Sequence, residues 1–276
     1  MIELNNINKY FQDKHVLKGI DFILRKGEPL AVVGHNGAGK STIIKIMLSI
    51  IDFEQGSIDF PADIKTIGYL PEERGVYRNE TVYTHIKYFS ELSGLKMSKQ
   101  SIDDYLNRFN ILHYKKFKLR ELSKGNAQKL QLALCFLGNP DLLILDEPFS
   151  GLDPLNRKVL SNLLLEGSEK RYTMFSSHQI GEIEKYCSQI LILSKGEIIY
   201  FGSIEELKLQ YESKKIIDIT YKDDFKNIVH KKLVIKDDIK QWLFDNKIDN
   251  IIQLTFGYPS LEDIYFDKMG SVINNE

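Results

Sequence analysis

The stretch Gly34-His35-Asn36-Gly37-Ala38-Gly39-Lys40-Ser41-Thr42 has the spacing G-x-x-x-x-G-K-[ST]. An apolar run with the length of a buried strand precedes it (29–33), and an apolar run with helix-forming residues follows it (42–48). This strand–loop–helix order is the context in which the spacing predicts a phosphate-binding loop, whose glycines let backbone N–H groups face an anion. We therefore predict a nucleoside triphosphate site, with Lys40 on the β- and γ-phosphates and the Ser41 hydroxyl on Mg²⁺.

Two carboxylates follow a second buried-strand pattern, because the apolar run Leu142–Leu145 ends at Asp146 and Glu147. Open α/β sheets place their ligand site at the carboxyl ends of strands. We predict that Asp146 holds Mg²⁺, since a hard cation prefers oxygen ligands, and that Glu147 takes a proton from an attacking water. His178 ends another strand pattern and could contact the γ-phosphate, or it could be structural. Phe11 could stack on a purine ring, or it could be an ordinary surface or core aromatic.

Composition and charge favour a globular protein of ordinary type. Hydrophobic residues make up 43% of the 276 residues, and the net charge of −1 argues against a generally basic nucleic-acid binder. Cys135 and Cys187 lie in patterns typical of core residues, so we expect free thiols in a reducing compartment. The N-terminus lacks a signal-peptide pattern, and no apolar run approaches the roughly 20 residues that span a bilayer. Any membrane role is therefore expected to come through a partner.

The chain reads as an α/β domain with one helical insertion and a second, smaller domain. From about Thr81 to Leu122 the apolar residues recur at helical spacing and interrupt the strand–helix alternation. Past about Gln210 charge pairs become frequent, and short strand and helix patterns alternate, including a helical run at Ile239–Phe244. Ser260 opens a capping-box sequence before the last helix. We predict a small α+β domain over 211–276.

A set of motifs in fixed chain order resembles the ATP-binding cassette (ABC) ATPases. Besides the phosphate loop, the matching segments are Tyr69–Glu72, Leu122–Asn126, Leu142–Pro148, Ser150–Pro154 and Ser177–His178. The resemblance covers about residues 1–210 and implies an α/β P-loop NTPase cassette, with a mixed sheet core and a helical subdomain at about 78–138. The small α+β domain follows this cassette.

The resemblance also implies a head-to-tail dimer, either a homodimer or a heterodimer with another ABC ATPase. Each ATP would lie between the phosphate loop of one subunit and the signature helix of the other. Glu147 would be the catalytic base, His178 the switch histidine and Phe11 the adenine-stacking aromatic. Asp153 would link the two sites. The signature residues acting across the dimer would be Ser123, Lys124, Gly125 and Asn126.

Three positions in two motifs depart from the family pattern. Lys124 and Asn126 stand where the family usually has Gly and Gln, so the signature carries an added positive charge. Glu72 stands where the family usually has the glutamine that couples Mg²⁺ to the partner protein. A carboxylate can still ligate Mg²⁺, whereas the usual amide role is in question.

The segment Glu72–Tyr77, the LSKGN signature and the ending Pro259–Tyr265 resemble one branch of the family, the bacterial export ATPases of the sodium-extrusion and bacitracin-resistance type. That branch implies an ATPase, using ATP and Mg²⁺, that sits on the cytoplasmic face of the cell membrane and drives an integral-membrane permease on a separate chain. No nucleic-acid partner is expected. The helical insertion and Glu72–Tyr77 would form the permease docking surface. The alternatives are an importer ATPase and a soluble ABC ATPase acting on cofactor assembly, ribosomes or nucleic acid. The cargo stays open.

Overall fold

In the computed structural model the chain divides into two units, Met1–Phe201 and Gly202–Glu276. The described residues are 1–72, 77–211, 215–222, 227–235, 251–257 and 259–273. The predicted helical run Ile239–Phe244 and residues 73–76 of the predicted docking segment lie outside them.

The first unit begins with an antiparallel three-stranded sheet. Its strands are β1 (Ile2–Phe11), β2 (Lys14–Leu24) and β4 (Gln55–Asp59), in the spatial order β2-β1-β4. Apolar residues alternate along β1 and β2, and their buried members, such as Leu4 and Ile20, belong to one hydrophobic core. Helix α1 (Lys40–Met47) contributes Ile43 and Ile44 to the same core.

A six-stranded sheet carries the sites predicted at strand ends. In spatial order its strands are β5 (Ile67–Leu70), β6 (Leu142–Leu145), β7 (Tyr172–Ser177), β3 (Leu30–Val33), β8 (Gln189–Ser194) and β9 (Glu197–Ser203). The first five run parallel, and every residue of β3, β6 and β7 is buried. Strands covered on both faces need continuous apolar runs, which is the pattern seen in the sequence. The mixed α/β fold class predicted from the sequence is confirmed.

The predicted helical subdomain, at about 78–138, contains α2 (Val82–Leu92), α3 (Lys99–Arg108) and α4 (Lys124–Cys135), with short 3₁₀ turns at Leu112–Tyr114 and Leu119–Glu121. Each of the three helices begins after a serine or threonine whose side chain accepts a hydrogen bond from the first turn, namely Thr81, Ser98 and Ser123. The helix periodicity read from the sequence in this region is therefore confirmed.

Two further helices complete the first unit. The sequence pattern from Val159 to Leu165 predicts a helix. Helix α5 (Pro154–Leu165) starts five residues earlier, because Asp153 caps it and Pro154 fits its first position. The sequence pattern from Ile180 to Tyr186 also predicts a helix, but helix α6 covers only Ile180–Ile183. Cys135 and Cys187 are free and buried, as predicted, and burial raises the pKa of both thiols above the ordinary range.

The second unit begins with helix α7 (Ile204–Leu209). Its antiparallel sheet contains β10 (Lys215–Lys222), β11 (Ile228–Ile235) and β12 (Ile251–Gly257), with β10 in the centre. Helix α8 (Leu261–Ile273) follows Ser260, whose Oγ accepts from the backbone of Asp263 at 3.2 Å while the Asp263 carboxylate accepts from the Ser260 backbone at 3.0 Å. The predicted capping box is thus confirmed, with aspartate in the glutamate position.

Arg171 is a buried cation that holds the end of α5. Its Nη2 donates to the carbonyls of Leu163 and Leu164 at 2.7 and 2.9 Å, and its guanidinium lies 5.2 Å from the centre of the Phe136 ring. Burial lowers the pKa of Arg171. We expect Arg171→Ala to lower the free energy of unfolding by about 3 kcal/mol, because the two carbonyls lose a charged donor and the ring loses a cation.

Urea unfolding of the nucleotide-free protein, followed by circular dichroism, measures this loss. Lys170→Ala is the matched control, because Lys170 precedes Arg171 in the chain but its own side chain is exposed. This change should lower the free energy of unfolding by less than about 0.5 kcal/mol. Equal unfolding midpoints for the two variants would contradict a capping role for Arg171.

Candidate functional site

The predicted phosphate loop connects β3 to α1, as expected. Gly37 and Gly39 have φ values of 81° and 114°, which favour glycine, and a Cβ on Gly34 would lie 2.4 Å from the Leu193 carbonyl oxygen. No side chain caps the first turn of α1, and that turn holds no acidic residue. The positive end of the helix is therefore available to an anion.

Lys40 points back into the loop. Its side chain is buried, and Nζ donates to the carbonyl oxygens of Gly34 at 2.7 Å and His35 at 3.4 Å. Nζ also lies 3.9 Å from Oε1 of Glu147. The one cation of the motif thus sits between the loop and the predicted catalytic carboxylate.

Asp146 and Glu147 follow β6 and are joined through a serine of the neighbouring strand β7. Ser176 Oγ donates to Oδ1 of Asp146 at 2.5 Å and accepts from the backbone N–H of Glu147 at 2.9 Å. Glu147 has a φ of 49°, a left-handed conformation that is uncommon for a residue with a side chain. The two predicted carboxylates therefore occupy a hydrogen-bonded and locally strained turn.

His178 contacts the carboxylate of Glu147. Its Nδ1 lies 2.7 Å from Oε2, and its backbone N–H donates to the same oxygen at 3.3 Å. The imidazole is about half exposed. The residues predicted at two different strand ends thus meet because β6 and β7 are parallel neighbours.

These groups line one cavity of about 700 Å³. Phe11 lies at its edge with 48% of the residue exposed, and the Lys9 ammonium lies 5.2 Å from its ring centre. The lining residues are Phe11, Lys14, Val16, Asn36, Gly37, Gly39, Lys40, Ser41, Thr42, Glu72, Asp146, Glu147 and His178. Lys14 and Val16 were not predicted, since they belong to β2, which lies in the other sheet and is about 20 residues from the loop in sequence.

The predicted signature residues do not line this cavity. Ser123 caps α4 by accepting from the Asn126 N–H at 3.3 Å, and Lys124 lines a second cavity of about 450 Å³ together with Glu72, Glu147 and Gly151. A Cβ on Gly125 would lie 3.2 Å from the Asp153 carboxylate, so these two segments are close within one chain. None of residues 123–126 lines the larger cavity.

The oxygen donors near the loop suit Mg²⁺. Ser41, Glu72 and Asp146 all line the larger cavity, and they offer one hydroxyl and two carboxylates. Within the described residues, no group of three His, Cys, Asp or Glu side chains is arranged to hold a metal ion. This pattern fits Mg²⁺, which is commonly bound through one or two carboxylates together with substrate phosphates, and not a closed protein site.

A glycine loop on a helix N-terminus, a buried lysine and a carboxylate pair at the adjoining strand end define the class of P-loop nucleotide hydrolases. The model of the family "ABC transporter" matches residues 17–150. The chain belongs to the ABC transporter ATP-binding proteins, which bind and hydrolyse ATP.

Two relatives and one solved structure illustrate the similarity. An uncharacterized ABC transporter ATP-binding protein of Methanocaldococcus jannaschii is 40% identical over 97% of this chain and 98% of its own length. The lantibiotic transport ATP-binding protein SrtF of Streptococcus pyogenes is 33% identical over 75% of this chain and 95% of its own length. A solved ATP-binding subunit of an ABC transporter superposes with a TM-score of 0.71 at 27% identity, over 76% of this chain and 93% of that one.

Among the described residues, no helix has both the length and the apolar character to cross a bilayer.

Proposed function

We propose that this chain is the energy-coupling ATPase of a membrane exporter and that it works as an ATP-sandwich dimer. One observation carries the dimer: the signature residues 123–126 do not line the cavity of Lys40 and His178, and Lys124 lines an adjoining cavity that shares only Glu72 and Glu147 with it. One chain therefore offers a phosphate loop and a separate helix N-terminus, each half of a nucleotide site. Two chains arranged head to tail would supply both halves to each ATP.

The residues of the larger cavity have different roles in ATP hydrolysis. Lys40 and the loop residues Gly34–Thr42 bind the phosphates, and Phe11 stacks on the adenine. Ser41, Asp146 and Glu72 would hold Mg²⁺, which would supply positive charge to offset the negative charge of the phosphates. The oxygen of a water forms a bond to the γ-phosphorus, the bond to the β,γ-bridging oxygen breaks, and the Glu147 carboxylate takes the water proton.

His178 acts on the base in this scheme. Its 2.7 Å contact with Oε2 of Glu147 orients the carboxylate before nucleotide enters. Entering phosphates compete for Lys40, which contacts the loop carbonyls and lies 3.9 Å from Glu147. Binding would thus exchange internal contacts of the site for contacts with the γ-phosphate.

The partner subunit would contribute Ser123, Lys124, Gly125 and Asn126. Ser123 already caps α4, so the remaining N–H groups of that turn and the Lys124 ammonium would face the other subunit's γ-phosphate. Asp153 lies beside Gly125 and would link the two sites. ATP would close the dimer, since these contacts exist only in the closed state, and hydrolysis would reopen it.

The cargo pathway would belong to a separate integral-membrane permease. The cassette over about 1–210 would dock on it through the helical subdomain at about 78–138 and the segment Glu72–Tyr77, which places the chain at the cytoplasmic face of the membrane. The export direction is supported by the branch-specific motifs, and the lantibiotic transport relative supports a role in transport. The domain at 211–276 would be accessory to the cassette.

Recovery of the partner from native membranes tests the proposal. Tagged Glu147→Gln protein is added to detergent-solubilised membranes with ATP and then isolated, with Lys40→Ala as the matched control that should not close. We expect a polytopic membrane protein in stoichiometric amount with Glu147→Gln and much less with Lys40→Ala. Ribosomes, nucleic acid or a soluble assembly complex in its place would overturn the exporter, and co-recovery of an extracellular solute-binding protein would indicate an importer.

A further inference from the structure

We propose that Ser176 is a positioning residue for hydrolysis, which fixes the Asp146 carboxylate and the backbone of Glu147 at the same time. This inference rests on the proposed roles of these two acids. Ser176 lies on β7, two residues before His178, and is fully buried. Its hydroxyl is hydrogen-bonded both to the metal-binding acid and to the backbone of the base.

The chemistry of the three groups sets the direction of both hydrogen bonds. The backbone N–H of Glu147 can only donate, so Ser176 Oγ accepts it, at 2.9 Å. The single hydroxyl proton is then directed to Oδ1 of Asp146, at 2.5 Å. A carboxylate accepts this bond best when it is ionised, which is the form that binds Mg²⁺.

The hydrogen bond between the Glu147 N–H and Ser176 matters because the Glu147 backbone has an unfavourable conformation. A φ of 49° puts a residue with a side chain in the left-handed region, which is unfavourable and persists only where neighbouring contacts impose it. The Ser176 hydroxyl is one such contact, and the Glu147 carbonyl, which accepts from the Ser150 N–H at 3.1 Å, is another. Release of the N–H would let the Glu147 carboxylate move relative to the attacking water.

The hydrogen bond from Ser176 to Asp146 affects metal binding, because it orients a proposed metal ligand. Residues that hydrogen-bond a metal ligand orient it, and their loss commonly costs a factor of about 10 to 100 in metal affinity or activity. The Asp146 N–H is already fixed to the Leu70 carbonyl at 2.8 Å, so Ser176 orients the part of the residue that remains free, the carboxylate.

Thr173 provides a comparison within the same strand. It is buried like Ser176, but its Oγ1 has no hydrogen-bond partner within the part of the chain that the structure describes. A hydroxyl is thus tolerated in β7 without a polar partner, whereas the Ser176 hydroxyl has two. Thr173→Val is therefore the matched control, since it removes a buried hydroxyl from the same strand and keeps the branched side-chain shape.

The test measures metal binding separately from turnover. Mn²⁺ is titrated into the full chain with a non-hydrolysable ATP analogue and followed by electron paramagnetic resonance, while ATPase activity is measured against Mg²⁺ concentration. Ser176→Ala is expected to weaken Mn²⁺ binding and to raise the half-saturating Mg²⁺ concentration, each by about 10-fold, and to lower kcat. Analogue binding in EDTA should be unchanged, because the phosphate loop is intact.

The outcomes separate a positioning role from a structural one. Thr173→Val should match the native chain, and Ser176→Thr, which keeps the hydroxyl, should recover the native Mn²⁺ affinity. If Ser176→Ala does not fold, Ser176→Cys is measured by the same criteria. Native Mn²⁺ affinity and Mg²⁺ dependence in the alanine or cysteine variant would overturn the inference. A native chain that showed neither metal–nucleotide binding nor turnover would overturn the proposed function instead.

Discussion

Glu147→Gln should stop ATP turnover and hold the protein as an ATP-bound dimer. The carboxylate is the proposed proton acceptor, and loss of a general base costs a factor of about 100 to 10,000 in rate. Glutamine has nearly the same shape and can still hydrogen-bond Nδ1 of His178, which lies 2.7 Å from the native oxygen. ATP would therefore bind and close the dimer without being consumed. Size-exclusion chromatography with ATP and Mg²⁺ measures the dimer, and phosphate release measures turnover.

The matched control is Glu91→Gln. This side chain lies exposed on α2, so the same change should leave both turnover and the elution volume as in the native chain. A Glu147→Gln protein that stayed monomeric with full turnover would remove Glu147 from the role of base. Loss of turnover without a stable dimer would keep the base and reject the closed dimer as the state before hydrolysis.

Lys40→Ala should weaken ATP binding by a factor of about 100 or more. A buried lysine that makes charge-assisted hydrogen bonds to two phosphates contributes roughly 3 kcal/mol, and the low-dielectric surroundings strengthen each contact. Lys40 is 7% exposed, and its present partners, the carbonyls of Gly34 and His35, are weaker acceptors than phosphate oxygens. Titration calorimetry or a fluorescent ATP analogue measures the change in dissociation constant.

Lys45→Ala serves as the control for this change. Lys45 belongs to the same helix but is exposed. Its removal tests whether the loss of any positive charge near the loop is enough to weaken ATP binding. Its ATP affinity should stay close to native, and both variants should unfold near the native temperature. An unchanged ATP affinity for Lys40→Ala would contradict the assignment of the phosphate loop.

Local sequence patterns were sufficient to predict much of the fold. The continuous apolar runs at 30–33 and 142–145 predicted buried parallel strands, and capping residues such as Ser260 predicted helix starts, because both patterns depend on neighbours close in sequence. The sequence predicted the ends of helices less accurately where those ends depend on packing. Helix α6 ends at Ile183, although the helical pattern continues to Tyr186.

The sequence predicted most of the individual residues of the site, but not the contacts between them. Motif spacing identified Lys40, Asp146, Glu147 and His178, and all four line one cavity. The role of Ser176 was missed, although a serine inside a buried strand is a recognisable signal, because its partners lie 29 and 30 residues away in the chain. Lys14 was missed for a similar reason, since its place beside the loop depends on the position of β2.

The sequence by itself determined the chemistry available to this protein: a glycine loop for phosphate, a lysine, two acids at a strand end and a histidine at another. Each follows from residue type and short-range spacing, which act within a few residues. Only the tertiary structure decided which of these groups touch. The parallel pairing of β6 and β7 brings Ser176 to Asp146 and His178 to Glu147, and the close approach of Leu193 makes glycine necessary at position 34. Such contacts depend on strand order, and strand order is set by the packing of the whole core.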